Sequence, residues 1–187
     1  MSKVLPLFVF PSSTWWSYFN FGEKTVIEIH ENWVKQSFRN KYEIAGPNGR
    51  QSLSIPTVKS TRKQLIDVQI SYAEDWVTNH LRSVKTAYNR SPFYEHYAHH
   101  FEEILNKKPK YLVDLNLKTV QFGMDRLHFD KEIETTKEFN MMPEVMSNVS
   151  KARPYNQVFE TKYDFIPNLS FLDVLFNCGP ESGSVMY

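Results

Sequence analysis

The sequence predicts an α/β fold with a mainly parallel, Rossmann-like sheet, a β-hairpin excursion and flanking helices. Three observations carry this. Two apolar, β-branched runs, Val4 to Phe10 and Thr25 to Ile29, enclose a short capped helical stretch, which is a βαβ pattern. A Gly46-Pro47-Asn48-Gly49 turn follows between two strand-like flanks. The middle of the chain then changes to the period of a helix.

Each element follows from local chemistry. Pro11-Ser12-Ser13-Thr14 supplies capping hydroxyls for a helix over Trp15 to Phe19. Val34 to Ala45 and Gln51 to Ile55 flank the turn as a hairpin, with Pro56 confining the second strand to an edge or an end. Ile66 to Ile70 alternates as a further short strand. Asp75 caps a helix whose buried stripe is Trp76, His80, Val84, Ala87 and Tyr88, with Leu81 beside it. Ser91-Pro92 opens a second helix, and Val113, Leu117, Val120, Met124 and Leu127 mark a third over Tyr111 to Leu127. Residues 130–154 read as loop with at most one strand, and Tyr155 to Phe159 as a last strand. Ser170-Phe171-Leu172-Asp173 resembles a capping box with Asp in place of Glu, opening a two-turn helix closed by Gly179-Pro180.

The 187 residues are read as one domain over 1–187. With 22 Lys and Arg against 21 Asp and Glu, the net charge of +1 offers no overall field for nucleic acid, and no nucleic-acid partner is expected. The longest apolar stretch, Val4 to Phe10, is broken by Pro6 and lies far below the roughly 20 residues of a membrane span. Cys178 is the one cysteine, which excludes an intramolecular disulfide and makes the cytoplasm the expected location. Just before Gly179-Pro180, it reads as a small hydrophobe at a helix end.

The segment Val34 to Ile44 is the most informative. Alternation would place Gln36 and Asn40 on one face with Val34, Phe38, Tyr42 and Ile44, and Lys35, Arg39 and Lys41 on the other. Two amides among apolar neighbours each cost about 1–3 kcal/mol unless they find partners. They therefore anchor a neighbouring loop or face a substrate. Seven cations between residues 33 and 63, Arg39 and Lys35 among them, face only Glu43, a local charge of +6. Such a surface is either a solvated hairpin face or an anion site, since Arg offers phosphate a bidentate fork. The region from Glu95 to Glu144 reverses the balance, with ten acids against seven cations.

His80 shares its stripe with Trp76, so it is either a general acid or base or a satisfied core group. His96, His99 and His100 have paired-ligand spacing on one helix, but no third convergent ligand and no H-E-x-x-H motif accompany them, so no metal is expected. Isolated glycines leave no G-x-G-x-x-G, Walker or G-x-S-x-G pattern, which disfavours dinucleotide dehydrogenases, P-loop enzymes and common esterases.

Several short motifs occur in order along nearly the whole chain. They are Lys35-Gln36-Ser37-Phe38-Arg39-Asn40, Gly46-Pro47-Asn48-Gly49, Leu53-Ser54-Ile55-Pro56, Trp76 with His80, Ala87-Tyr88 before Ser91-Pro92-Phe93, Leu115-Asn116-Leu117, Tyr155-Asn156-Gln157-Val158-Phe159, and Pro167 to Asn177. Together they resemble the WbqC-like protein family. The resemblance implies a role in bacterial O-antigen and surface-polysaccharide biosynthesis, with glycine transfer suggested for some members. Longer members begin with a His-x-Pro signature; the matching place here reads Val9-Phe10-Pro11, and the segment before Tyr155 is shorter. A nucleotidylyltransferase-like site built on that histidine is therefore not implied for this chain.

The expectation is a transferase that moves an amino-acid or acyl group onto an activated sugar, with its ligand at the carboxyl ends of the parallel strands. In that reading Lys35 and Arg39 hold an anionic group, Gln36 and Asn40 orient polar atoms, and His80, beside Trp76, is the base. Asn116, Tyr155 and Gln157 complete the pocket. The partner is a small molecule, a nucleotide sugar or activated amino acid; no cofactor is specified, and a homodimer is one allowed assembly. The alternative is a non-catalytic binding or scaffold protein of the same pathway.

Overall fold

Two short parallel strands open the fold, as the βαβ pattern predicts. In a computed structural model that describes residues 3–20, 24–59, 64–139 and 153–186, β1 (Lys3–Pro6) lies parallel to β2 (Thr25–Glu28), with Leu5 opposite Ile27. Between them runs α1 (Ser13–Asn20), whose Trp15, Trp16 and Phe19 are fully buried. A two-residue strand β5 (Glu134–Thr135) adds to β2, also parallel, giving the order β1-β2-β5. The protein is mixed α/β, and its parallel sheet is smaller than predicted. The ladder ends at Pro6; beyond it Val9 N donates to Phe38 O, and Phe10, at φ 40°, turns the chain ahead of Pro11.

The antiparallel hairpin forms around the predicted turn, from β3 (Lys41–Gly46) to β4 (Gly49–Ser54). Gly49 sits at φ 95°, a conformation that glycine adopts without a Cβ penalty. The first strand is much shorter than the alternation suggests. Residues 35–40 are a turn in which Ser37 Oγ donates to Val34 O and the amides of Asn40 and Lys41 both donate to Ser37 O. Local serine and asparagine bonding overrides strand periodicity here.

Helices cover this frame: α2 (Trp76–Tyr88), α3 (Tyr94–Asn106), α4 (Leu112–Leu127), α5 (Phe171–Cys178) and the short α6 (Ser182–Met186). Asp75 caps α2 by accepting from Thr78 N, as expected. Ser91 does not cap α3; its hydroxyl donates to Tyr88 O and so finishes α2. Ser170 caps α5 by accepting from Leu172 N. On α4, Gly123 lets Trp16 come close: a Cβ there would lie 2.2 Å from Trp16 Cζ2.

Two further predicted strands are absent. Residues Leu65–Asp67 form a single 3-10 turn, and Gln69 and Ile70 make only isolated bridges to Tyr111 and Thr57. Tyr155 to Phe159 is not a strand, because the amide of Gln157 pairs with the backbone of Ile166 where a ladder partner would be needed. No described helix is long and apolar enough to cross a membrane.

Candidate functional site

Helix α5 shows how a polar site is built inside the core. Phe171, Leu172, Val174, Leu175 and Phe176 are all buried, so α5 has no solvent face on which to place Asp173, which is itself fully buried. A carboxylate there must be saturated by donors. Tyr88 donates to Asp173 Oδ1 at 2.6 Å, while Tyr155 and the Gln157 amide donate to Oδ2 at 2.5 and 2.9 Å. The Tyr88 oxygen also accepts from Ala45 N at 3.0 Å, which ties the cluster to β3. Burial raises the Asp173 pKa, and the three hydrogen bonds oppose that rise. Burial, reinforced by Asp173, also raises the pKa of Tyr88 and of Tyr155.

This cluster backs a cleft of about 780 Å³, within the range that holds small-molecule ligands. One wall is the α2–α3 junction from Thr86 to Pro92, and the other is residues 156–162 with Asn177. The second wall is pinned at both ends. At its base, Gln157 Nε2 donates to Ile166 O at 3.0 Å and its Oε1 accepts from Ile166 N at 2.8 Å. At its tip, Lys162 Nζ and Tyr163 Oη both donate to Pro47 O, at 2.7 and 3.1 Å. Gln157 thus lines the cleft with its amide already occupied, which makes it a positioning residue. The sequence reading found Tyr155 and Gln157 but missed Asp173 and Tyr88. A lone acid inside Phe171-Leu172-Asp173-Val174-Leu175-Phe176, with no polar face to share, was the available signal.

His80 and Trp76 form a separate group. His80 is 3% exposed, and its Nε2 lies 3.2 Å from Ser54 O. A carbonyl only accepts, so Nε2 carries the proton and Nδ1 accepts from Tyr42 Oη at 3.1 Å. Burial pushes the His80 pKa down to about 4, partly offset by the Ser54 carbonyl. Trp76 packs edge-on against the imidazole and donates Nε1 to Ser71 O at 3.0 Å. Of the two alternatives left open by the sequence, the satisfied core histidine is the arrangement seen.

The structure brings Arg39, Asn40 and Asn116 together, away from the cleft. Arg39 forks onto both carboxylate oxygens of the buried Glu31, and Asn116 Nδ2 donates to Arg39 O at 2.7 Å. Asn40 Nδ2 donates to Ile55 O at 3.0 Å, which is the loop-anchoring role. Asn40 Oδ1, Asn116 Oδ1 and Glu28 Oε2 are buried acceptors without a donor among the described residues. Gln36 and Asn40 do not share a wall: Gln36 is exposed at φ 53° and Lys35 is exposed beside it. With the 35–40 turn, Val9 N donating to Phe38 O and Phe8 against Phe38, this segment closes over the chain that follows β1. The void bordered by Phe8, Phe10 and Phe38 is about 10 Å³, one water's worth.

The remaining basic residues are also partly matched. Arg50 pairs with Glu43 at 2.6 Å and donates to Pro167 O, while Arg62 and Lys63 lie outside the described residues. His100 Nε2 accepts from Arg126 at 2.7 Å and its ring stacks on Phe122. Among the described residues, no group of three or more His, Cys, Asp or Glu gathers as a metal site. Cys178 is half-buried, and burial pushes its thiol up to about 11.

Searches of the curated proteins and of the solved structures find no match to this chain. A family comparison does: the WbqC-like protein family matches residues 8–151 and 144–185. That match spans both walls of the cleft, the Asp173 cluster and the Arg39 cluster, and on it the chain belongs to the WbqC-like protein family.

Proposed function

We propose that this chain binds a small polar substrate of bacterial surface-polysaccharide assembly in the cleft behind which Asp173 sits, and holds it for group transfer. The observation that carries the reading is the cleft itself. A fully buried carboxylate with three donors makes its rear wall rigid, and amides, hydroxyls and cations line it. A preorganised wall lowers the ordering cost of binding. The pathway follows from the family resemblance, and the transferred group, aminoacyl or acyl onto an activated sugar, is part of the proposal. The parallel part of the fold is a three-stranded sheet with a single β1–α1–β2 unit, and this proposal puts the ligand at the α2–α3 junction, not at the strand ends.

A second reading is favoured by one observation. The polar groups on the described walls bind and orient rather than abstract protons, and His80 is held neutral by burial, with both ring nitrogens taken by Tyr42 and Ser54. That suits a non-catalytic binding protein which presents a substrate to another enzyme.

Thermal shift against nucleotide sugars, sugar phosphates and amino acids tests the shared part, because a ligand that binds only the native state must raise Tm. We expect a rise with at least one compound, diminished by Asn156→Ala on the cleft wall. A flat response to the whole panel removes the cleft as a binding site. Product formation from the binding compound, with a donor supplied, separates the transferase from the binding protein.

A further inference from the structure

We infer that the cleft holds a phosphate subsite between Arg90 on one wall and Lys162 on the other, so that the bound molecule carries a phosphate or pyrophosphate group. The inference rests on the reading of the cleft as a ligand site, and names the ligand's charged part.

Arg90 stands just past the end of α2, exposed on the cleft wall, and no carboxylate pairs with it among the described residues. It differs in this from Arg39, which is held by Glu31, and Arg50, which is held by Glu43. Lys162 reaches the same cleft from the opposite wall. It donates to Pro47 O, a neutral carbonyl, and lies over the Tyr163 ring, but no carboxylate pairs with it among the described residues. No Asp or Glu lines the described cleft. Two cations line this concave surface, while Glu160 is outside its lining and Asp173 sits behind the wall with its oxygens taken by three donors, so positive potential is favoured locally although the chain as a whole is only +1.

The ligand chemistry follows from this lining. A guanidinium presents a planar fork that matches two phosphate oxygens, and an ammonium adds a point charge for a third. The remaining polar lining consists of amides and hydroxyls such as Asn89, Asn156 and Asn177, which suit sugar or ribose hydroxyls. Asn177 Nδ2 donates to Asp173 O at 2.8 Å, which orients its carbonyl oxygen as an acceptor for such a hydroxyl. A volume of about 780 Å³ leaves room for a sugar beside its phosphate.

Calorimetric titration of the full chain with inorganic pyrophosphate, uridine diphosphate, glucose 1-phosphate and glucose tests the inference. We expect the phosphate-bearing probes to bind at least tenfold tighter than glucose, and raised salt to weaken them. Arg90→Ala and Lys162→Ala should each weaken that binding about tenfold or more, with Arg90→Lys recovering part of it. An unchanged Tm in Arg90→Ala establishes that the fold is retained, and Lys162→Ala, which also releases Pro47 O, is read against Tyr163→Phe, which loosens the same tip without removing a charge and should leave phosphate binding within about threefold. Comparing uridine diphosphate with glucose 1-phosphate tells whether the phosphate belongs to a nucleotide or to a sugar. If glucose binds, is lost in Asn156→Ala, and the phosphates bind no tighter, the subsite falls while the cleft stands. If no probe gives binding sensitive to Arg90 or Asn156, the cleft reading falls with it.

Discussion

Two buried polar clusters flank the hairpin, and they resolve the same problem in opposite ways. Around Arg39, charge is neutralised at close range: Glu31 is eight residues away and takes the guanidinium fork, while Asn116 holds the backbone of Arg39. Around Asp173, which α5 carries, the partners come from α2 and from residues 155–157, and each donates to the one carboxylate. The first cluster seals the turn after β2 and leaves two buried amide oxygens, of Asn40 and Asn116, without protein donors among the described residues. The second is saturated and stands behind an open cleft. Burying polar groups therefore marks structure as readily as function, and what separates the two cases is whether space lies next to them.

The largest expected effect tests the saturated cluster. Asp173→Ala strands the Tyr88 and Tyr155 hydroxyls, each a buried donor worth about 1–3 kcal/mol if left unpaired, and leaves the Gln157 amide its bond to Ile166 O. Chemical denaturation should show a loss of about 4 kcal/mol, together with loss of any ligand-induced Tm shift as the cleft wall loosens. If Asp173→Ala melts within about 2 °C of the parent, the cluster is not the anchor described here.

Arg39→Ala should come next, at about 3 kcal/mol, because removing one partner of a buried pair strands the charge of Glu31. Arg39→Lys should not restore it, since an ammonium cannot fork onto both oxygens. Ligand binding to the folded variant should be unaltered. Weaker binding there at constant stability would move the site back to the end of the parallel strands.

The pH dependence is expected to show a third, smaller difference. His80 falls from 6.5 to about 4 on folding, so between those values the unfolded chain binds more protons. Stability therefore rises with pH through that window and is lost as pH falls, by about 3 kcal/mol at most. Asp173 acts in the opposite sense: its pKa is raised above 3.8, so just above that value its contribution falls as pH rises. Tm measured from pH 4 to 7 should slope upward in the parent and flatten in His80→Gln. An unchanged slope in that variant would mean that His80 is not sealed between Tyr42 and Ser54.

The smallest effect concerns the rim. Tyr163→Phe removes one exposed bond to Pro47 O and should cost at most about 1 kcal/mol. Hydrogen exchange of residues 158–163 should nevertheless speed up, because that bond and Lys162 hold the tip of the wall.

Much of this was legible in the residues. The βαβ opening, the Gly46-Pro47-Asn48-Gly49 turn, the cap at Asp75 and the period of α4 depend on interactions within a few positions, and they formed as predicted. The family resemblance was equally local in its evidence and is confirmed by the family match. Val34 to Ile44 misled because alternation and turn chemistry compete within the same few residues: the Ser37 hydroxyl favours the turn locally, and the bonds from Val9 N, Asn116 Nδ2 and Asn40 Nδ2 that fix it form only once the chain has folded back.

What the sequence determined by itself was which segments become helices and turns, and that Tyr155, Gln157, Arg39, Asn40 and Asn116 are polar groups in need of partners. Only the tertiary structure decided which partner each one found. Asp173 meets Tyr88 across 85 positions of chain, and that pairing depends on three elements docking at once. Short-range bonds are fixed by spacing; the placement of a cleft beside one buried cluster and not the other is set by how whole elements pack, which no local pattern encodes.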